Sequence, residues 1–263
     1  MRELLKRELT ARQFKVDEHA FSGPPSPMLL GAPTVIRGVN LIGQRGHPSI
    51  WLAAHYDSKG QPISMATRML GAAAALLGAA VAPFALPGLA VCAVGAAILA
   101  ANHVTDRSAG ALDNATGLVA ILAILDALPQ GADIGVLFLD AEEYGLVGAR
   151  ALVSERPALL AGAAVINFDS IDDRGGCIAF LHRPGPIGRA VAAELQAWKS
   201  PWFPIVVDGI ALARAPLREC VTIMKGDWGT ARVVHTPRDT ADRLTLDAVR
   251  RVGAGVARVL ASA

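Results

Sequence analysis

Hydrophobic and polar positions along this chain follow two periods, and one long stretch follows neither. Residues 2–14 set Leu4, Leu5 and Leu9 at helical spacing among charges, which predicts an amphipathic helix. A Pro/Gly-rich connector runs from Gly23 to Pro33. Thr34–Ile42 and Ser49–Ala54 then read as strands, separated by a polar turn with Gly43, Gly46 and Pro48. Met69 to Ala101 contains no charged residue, and Pro83, Pro87 and Gly88 split it into two helical arms, Leu70–Ala82 and Gly88–Ala101, joined by a tight turn. Gly117–Leu128 reads as an apolar helix that Asp113 or Asn114 is placed to cap. Ile134–Leu139 is too short and too continuously apolar for a surface helix, so it reads as a central strand covered on both faces. The remaining pattern predicts a short helix at Gly145–Val153 and strands at Ala163–Phe168, Cys177–Leu181 and Val221–Met224. It also predicts a helix at Pro186–Trp198, a short extended piece at Pro204–Val207 and a closing helix at Leu246–Leu260.

Length and composition narrow this to an α/β protein with an insertion. At 263 residues the chain can bury a sizeable core, and a single domain over residues 1–263 is expected, with the insert at 64–105. A net charge of +2, with no Lys/Arg block interleaved with aromatics, argues against a nucleic-acid partner. Cys92, Cys177 and Cys220 show no C-x-x-C spacing and point to a reducing compartment, and the N-terminal residues lack the apolar core of a signal peptide.

The mean hydropathy is high, +0.40, and its excess lies in the apolar run. Each arm alone, about 14 residues, would reach about 20 Å as a helix, short of a hydrocarbon core of about 30 Å. Extended back to Ser64 and on to Thr105, the arms approach full-length spans, with Arg68 snorkelling and Arg107 just outside. Lys59, Arg68 and Arg107 flank the run, so membrane association through 64–105, with the remainder at the cytoplasmic face, is the expectation. The alternative is a soluble cytoplasmic protein whose hairpin forms a lid or a dimer interface.

Candidate chemistry collects where the predicted strands end. The strand before His55 runs straight into Tyr56 and Asp57; with a period of two, His55 and Asp57 share a face, so the carboxylate can orient the imidazole as a metal ligand needs. Asp140, Glu142 and Glu143 follow the central strand at the sheet edge where open α/β folds hold ligands. The two adjacent glutamates point in different directions, which allows one to bind a metal and the other to take a proton from water. Asp113 opens a helix, Asp169 follows another buried strand, and His235 sits in the late run His-Thr-Pro-Arg-Asp-Thr. Each has a structural alternative: a helix cap for Asp113, an Asx-turn for Asp169, a loop histidine for His235.

The order of these motifs carries more than any one of them. H-x-D after a strand, G-A-x-D-N-x-x-G opening a helix, A-E-E-x-G-L-x-G-A-R after an apolar strand, N-x-D after a strand and a late H-T-P-x-D-T together resemble the di-zinc co-catalytic exopeptidases, a family of zinc aminopeptidases, glutamate carboxypeptidases and glutaminyl cyclases. The resemblance spans about residue 35 to the C-terminus, apart from the hydrophobic insert. It implies a three-layer α/β/α fold around a central mixed, mainly parallel sheet, and two Zn2+ ions. Carried over by position, His55 and Asp169 would bind one ion, Glu143 and His235 the other, and Asp113 both. Glu142 would be the general base for a water shared by the metals, and Asp57 the partner of His55. The implied activity is hydrolysis of N-terminal residues from a peptide substrate; a glutaminyl-cyclase-like acyl transfer and a non-catalytic, receptor-like module are the alternatives. The insert lengthens the gap between His55 and Asp113 beyond what the soluble relatives have. Asp208 and His182 lie in segments that edge the cleft and read as structural.

Overall fold

The computed structural model of the chain describes residues 1–201 and 205–262. In chain order it contains α1 (Arg2–Ala11), β1 (Lys15–Gly23), β2 (Ile36–Arg45), β3 (Ile50–His55), α2 (Met65–Val81), α3 (Leu86–Ala100), α4 (Thr116–Ala127), β4 (Ile134–Leu139), α5 (Val147–Glu155) and β5 (Ala164–Ile171). Then come β6 (Gly176–Arg183), α6 (Pro186–Glu194), β7 (Trp198–Ser200), α7 (Asp208–Leu212), β8 (Glu219–Gly226), α8 (Trp228–Ala231) and α9 (Asp247–Ala261). The described strands form one eight-stranded mixed sheet in the order β1-β2-β4-β3-β5-β8-β6-β7. Its centre, β4, β3, β5 and β8, is parallel, and β1, β2 and β6 join antiparallel.

The central strands lie buried on both faces, and their period-two alternation sends side chains into two cores. Leu52 and Ala54 of β3, with Val136 and Phe138 of β4, pack against α1, α4 and α9; Trp51, Ala53, Leu137 and Leu139 pack against α5 and α7. Helices therefore cover both faces, giving the expected three layers.

Two expectations shift. Lys15–Gly23 is a strand that the pattern does not announce: it is an edge strand, and only His19 and Phe21 are buried along it, so no apolar run marks it. The helix expected to reach Trp198 stops at Glu194, because Gln196 takes a left-handed φ of 49° and turns the chain into β7. The extended piece at Pro204–Val207 begins outside the described residues.

The apolar run folds into the helical hairpin α2/α3. The helices approach so closely along Gly71, Gly78, Gly88 and Gly95 that a Cβ at Gly78 would lie 2.2 Å from the backbone N of Cys92. Leu76, Leu77, Phe84 and Leu86 face outward, Phe84 with 89% of its surface exposed. Among the described residues no helix is long and apolar enough to cross a membrane. The arms do not extend as a span requires: α2 has 17 residues, about 25 Å, and past α3 the chain leaves the helix, His103 bridging to Leu30 and Thr105 to Gly60. Of the three flanking basic residues, Lys59 and Arg68 turn into the protein and only Arg107 stays exposed.

The sheet order places the site. From β3 the chain crosses through the hairpin and α4 to β4 on one side, and from β4 through α5 to β5 on the other, so strand order reverses at β3. The crevice at the carboxyl ends of strands around such a reversal is where open α/β sheets hold ligands.

Candidate metal centre

Five of the expected residues meet in that crevice. His55 ends β3, Asp169 lies near the end of β5, Asp113 sits in the irregular turn before α4, and Glu143 follows β4. His235 lies in the loop beyond α8. Their ligand atoms form two groups able to hold a metal ion, His55–Asp113–Asp169 and Asp113–Glu143–His235, all buried and sharing Asp113. Glu142 is buried beside them and belongs to neither group. Ala141, Ser170 and His235 each take a left-handed φ, of 58°, 51° and 65°. Non-glycine residues held this way cost about 1–3 kcal/mol each and concentrate at functional sites.

Neighbouring side chains fix the loops. Asp57 accepts hydrogen bonds from the backbone N–H groups of Glu142 and Glu143 at 3.0 and 3.1 Å, which ties the end of β3 to the residues after β4. Its carboxylate lies 3.5 Å from His55 Nδ1, while that nitrogen donates to the Asp57 carbonyl at 3.1 Å. Asp57 thus orients His55 mainly through its backbone and the two glutamates through its side chain. Asp239, a motif residue to which the sequence assigns no role, accepts from the backbone N–H groups of Leu112 and Asp113 at 2.6 and 3.2 Å. Asn114, not Asp113, does the capping: its Oδ1 accepts from Gly117 N, while its Nδ2 donates to Phe168 O and anchors the turn to β5.

The electrostatics divide at Asp113. On the His55 side, burial pushes Asp169 up to about 7, with the Asp113 charge adding to it, and lifts Glu142 well above the usual carboxylate range. Burial also pushes Asp208 up to about 8; both its oxygens are buried with no hydrogen-bond partner among the described residues, so it belongs to the centre more closely than the sequence suggests. On the other side burial would raise Glu143 too, but His235 and Lys59 outweigh it and hold it below its ordinary value. Asp113 is likewise held down, against burial, by His235 and His55. Lys59 Nζ lies 3.1 Å from Glu143 Oε2 and donates to the Glu143 carbonyl at 2.9 Å, and Arg68 Nη2 donates to His235 Nδ1 at 2.5 Å. The sequence pattern makes both cations flanks of the apolar run, Arg68 snorkelling, and the structure turns both into the crevice; the position of Lys59 directly after His55-Tyr56-Asp57-Ser58 is the signal for it. His182 lies 2.9 Å from Thr222 Oγ1 with its pKa lowered to about 4 by burial, a partner within the β6/β8 pair.

The donor set suits a metal ion. His55 Nδ1 is engaged with a carbonyl, which leaves Nε2 as the coordinating atom. That Nε2 is buried 3.2 Å from Asp113 Oδ1, and Glu143 Oε1 is buried without a hydrogen-bond partner among the described residues. Imidazoles with carboxylates are the ligands of zinc and its neighbours.

A family model described as Peptidase family M28 matches residues 39–260. The chain belongs to this peptidase family. No curated protein matches it by sequence. Among solved structures it aligns with a glutaminyl cyclase of Porphyromonas gingivalis at a TM-score of 0.67 and 18% identity, covering 99% of this chain and 88% of that one. With the LapA aminopeptidase of Legionella pneumophila the TM-score is 0.59 at 15% identity, covering 100% of this chain and 63% of that one. With BSAP, a zinc aminopeptidase of Bacillus subtilis, it is 0.55 at 15%, covering 87% and 52%. At such identities these likenesses establish the fold. The M28 chain therefore spans under two thirds of the length of the two aminopeptidases.

Proposed function

We propose that this M28 protein is a zinc-dependent exopeptidase, an aminopeptidase that removes N-terminal residues from peptides with Glu142 as general base. The observation that carries the reading is the pair of buried ligand groups meeting at Asp113, with Glu142 beside both and part of neither. His55 and Asp169 would hold one ion, Glu143 and His235 the other, and Asp113 both. Bound zinc supplies Lewis acidity, polarising a carbonyl and bringing the pKa of water to about 7. Glu142, its carboxyl raised by burial, takes the proton of the attacking water and delivers it to the leaving amine. Asp57 holds Glu142 in place through its backbone N–H.

An apolar pocket of about 280 Å³ is lined by Ser170 and Val234, the chain neighbours of Asp169 and His235, together with Met65, Met69, Ile178 and Met224 among others. It supports a substrate whose residue at the cut is apolar. Acyl transfer of the cyclase kind is the second reading, favoured by the long overlap with the cyclase structure. A panel of aminoacyl reporter substrates, run beside an N-terminal Gln peptide, separates the two: free amino acid release that chelator abolishes supports the exopeptidase, and ammonia release without hydrolysis replaces it with the cyclase. The exposed apolar hairpin supports membrane association as part of the same proposal, by dipping into a bilayer rather than crossing it, with the cytoplasmic face as the expected side.

A further inference from the structure

The two ligand groups differ in what their histidines are free to do. A guanidinium only donates hydrogen bonds, so the 2.5 Å contact from Arg68 Nη2 makes His235 Nδ1 an acceptor. A neutral imidazole with one accepting nitrogen carries its hydrogen on the other. In His235 that is Nε2, which lies 2.9 Å from Glu143 Oε2 and 3.0 Å from Asp113 Oδ2 and donates to them. The nitrogen aimed at the metal position therefore has no lone pair to offer. Coordination through Nε2 requires its hydrogen to move to Nδ1, and an Nδ1–H cannot face Arg68. His55 differs at the outer nitrogen: its Nδ1 donates to a carbonyl, which leaves the lone pair on Nε2, the nitrogen that lies 3.2 Å from Asp113 Oδ1. Lys59 adds to the difference by engaging Glu143 Oε2.

Arg68 is not a passive neighbour, because it rides on the hairpin. It lies in the first turns of α2, which Ser64 caps by accepting from Thr67 N, and its Nε is buried without a partner. We infer that Arg68 is a latch on the second ligand group: while the base of α2 holds its guanidinium on His235, the protein takes up one metal ion tightly, at His55–Asp113–Asp169, and the second site fills only as that turn of the hairpin lets go. This rests on the metal-dependent reading above. Release is a proton shift between the imidazole nitrogens plus withdrawal of Arg68; nothing is oxidised or reduced. Hairpin position and occupancy of the second site are thereby coupled, and the coupling acts in both directions.

The test is a zinc titration of the full-length, metal-free protein in competition with a chromophoric chelator, with hydrogen exchange followed across residues 65–72. In the parent protein the second ion should bind about 10–100-fold more weakly than the first, the range by which outer contacts of a ligand tune affinity. Arg68→Met, which keeps the apolar stem, should close most of that gap and leave the first step unchanged. Asp169→Asn should remove the tight step. In the parent protein, with no variant needed, the second equivalent of zinc and not the first should speed exchange at the base of α2. Two equally tight ions in the parent, an unchanged gap in Arg68→Met, or exchange indifferent to the second equivalent would overturn the latch and leave the peptidase reading standing. A parent protein that binds no zinc removes both.

Discussion

On the His55 side of Asp113 the carboxyl groups of Asp169, Asp208 and Glu142 crowd together with no lysine or arginine among the causes of their shifts, and burial, against His55, drives all three upward. On the His235 side Lys59 and Arg68 reach in, and Glu143 sits below its ordinary value. Two ligand sets of one chemistry, sharing an aspartate, are thus prepared differently. A buried cluster of like charges is costly unless a cation joins it; in the first group only His55 offsets it and burial prevails, while in the second Lys59 and His235 outweigh burial at Glu143. On the latch proposal, ligand identity alone does not decide how readily a site fills.

The largest effect expected is on turnover, at the residue outside both groups. Glu142→Gln should cost at least about a hundredfold in hydrolysis and leave zinc content unchanged by metal analysis; an emptied site would assign Glu142 and Glu143 the wrong way round. Next in size, Glu143→Gln should weaken only the more loosely held ion, by about 10–100-fold in a chelator competition. Loss of the tight ion instead would erase the asymmetry.

Asp57→Ala should lower turnover by about tenfold, since it frees the backbone N–H groups of Glu142 and Glu143 that the carboxylate holds. It should also destabilise the fold by about 1–3 kcal/mol for each N–H left without a partner, which kinetics and denaturant unfolding can each measure.

A smaller effect concerns pH. The folded pKa of Asp208, about 8 through burial, lies above that of an unfolded aspartate, about 3.9. The stability this group contributes is present in full below about pH 4 and lost as pH rises through 8. Melting temperatures of the metal-free protein between pH 6 and 9 should fall more steeply than those of Asp208→Asn, whose side chain stays neutral throughout. The smallest effect on the centre should come from the far end of the hairpin: Phe84→Ser with Leu86→Ser should reduce pelleting with lipid vesicles while both zinc steps stay where they were.

Much of the architecture was legible in the chain because burial writes itself into apolar runs. Ile134–Leu139 is a strand with the expected ends, and the hairpin falls where the charge-free stretch predicts it. The edge strand Lys15–Gly23 was not legible, since one solvated face and a row of backbone pairs to β2 leave little apolar signal. The motif residues His55, Asp113, Glu143, Asp169 and His235 could be named from their order along the chain, and folding brings them together.

The sequence by itself determined the central strands, the hairpin and the family, for each of these depends on local periodicity or on residues at fixed spacing. Only the tertiary structure decided where Lys59 and Arg68 point. From the sequence both read as basic flanks of an apolar segment, because a charge beside such a run is ordinarily solvated. Folding instead carries the first turns of α2 over the crevice, so that a residue 167 positions from His235 meets its ring. Contacts across that separation are set by how the hairpin seats on the sheet, and no pattern within either segment encodes it.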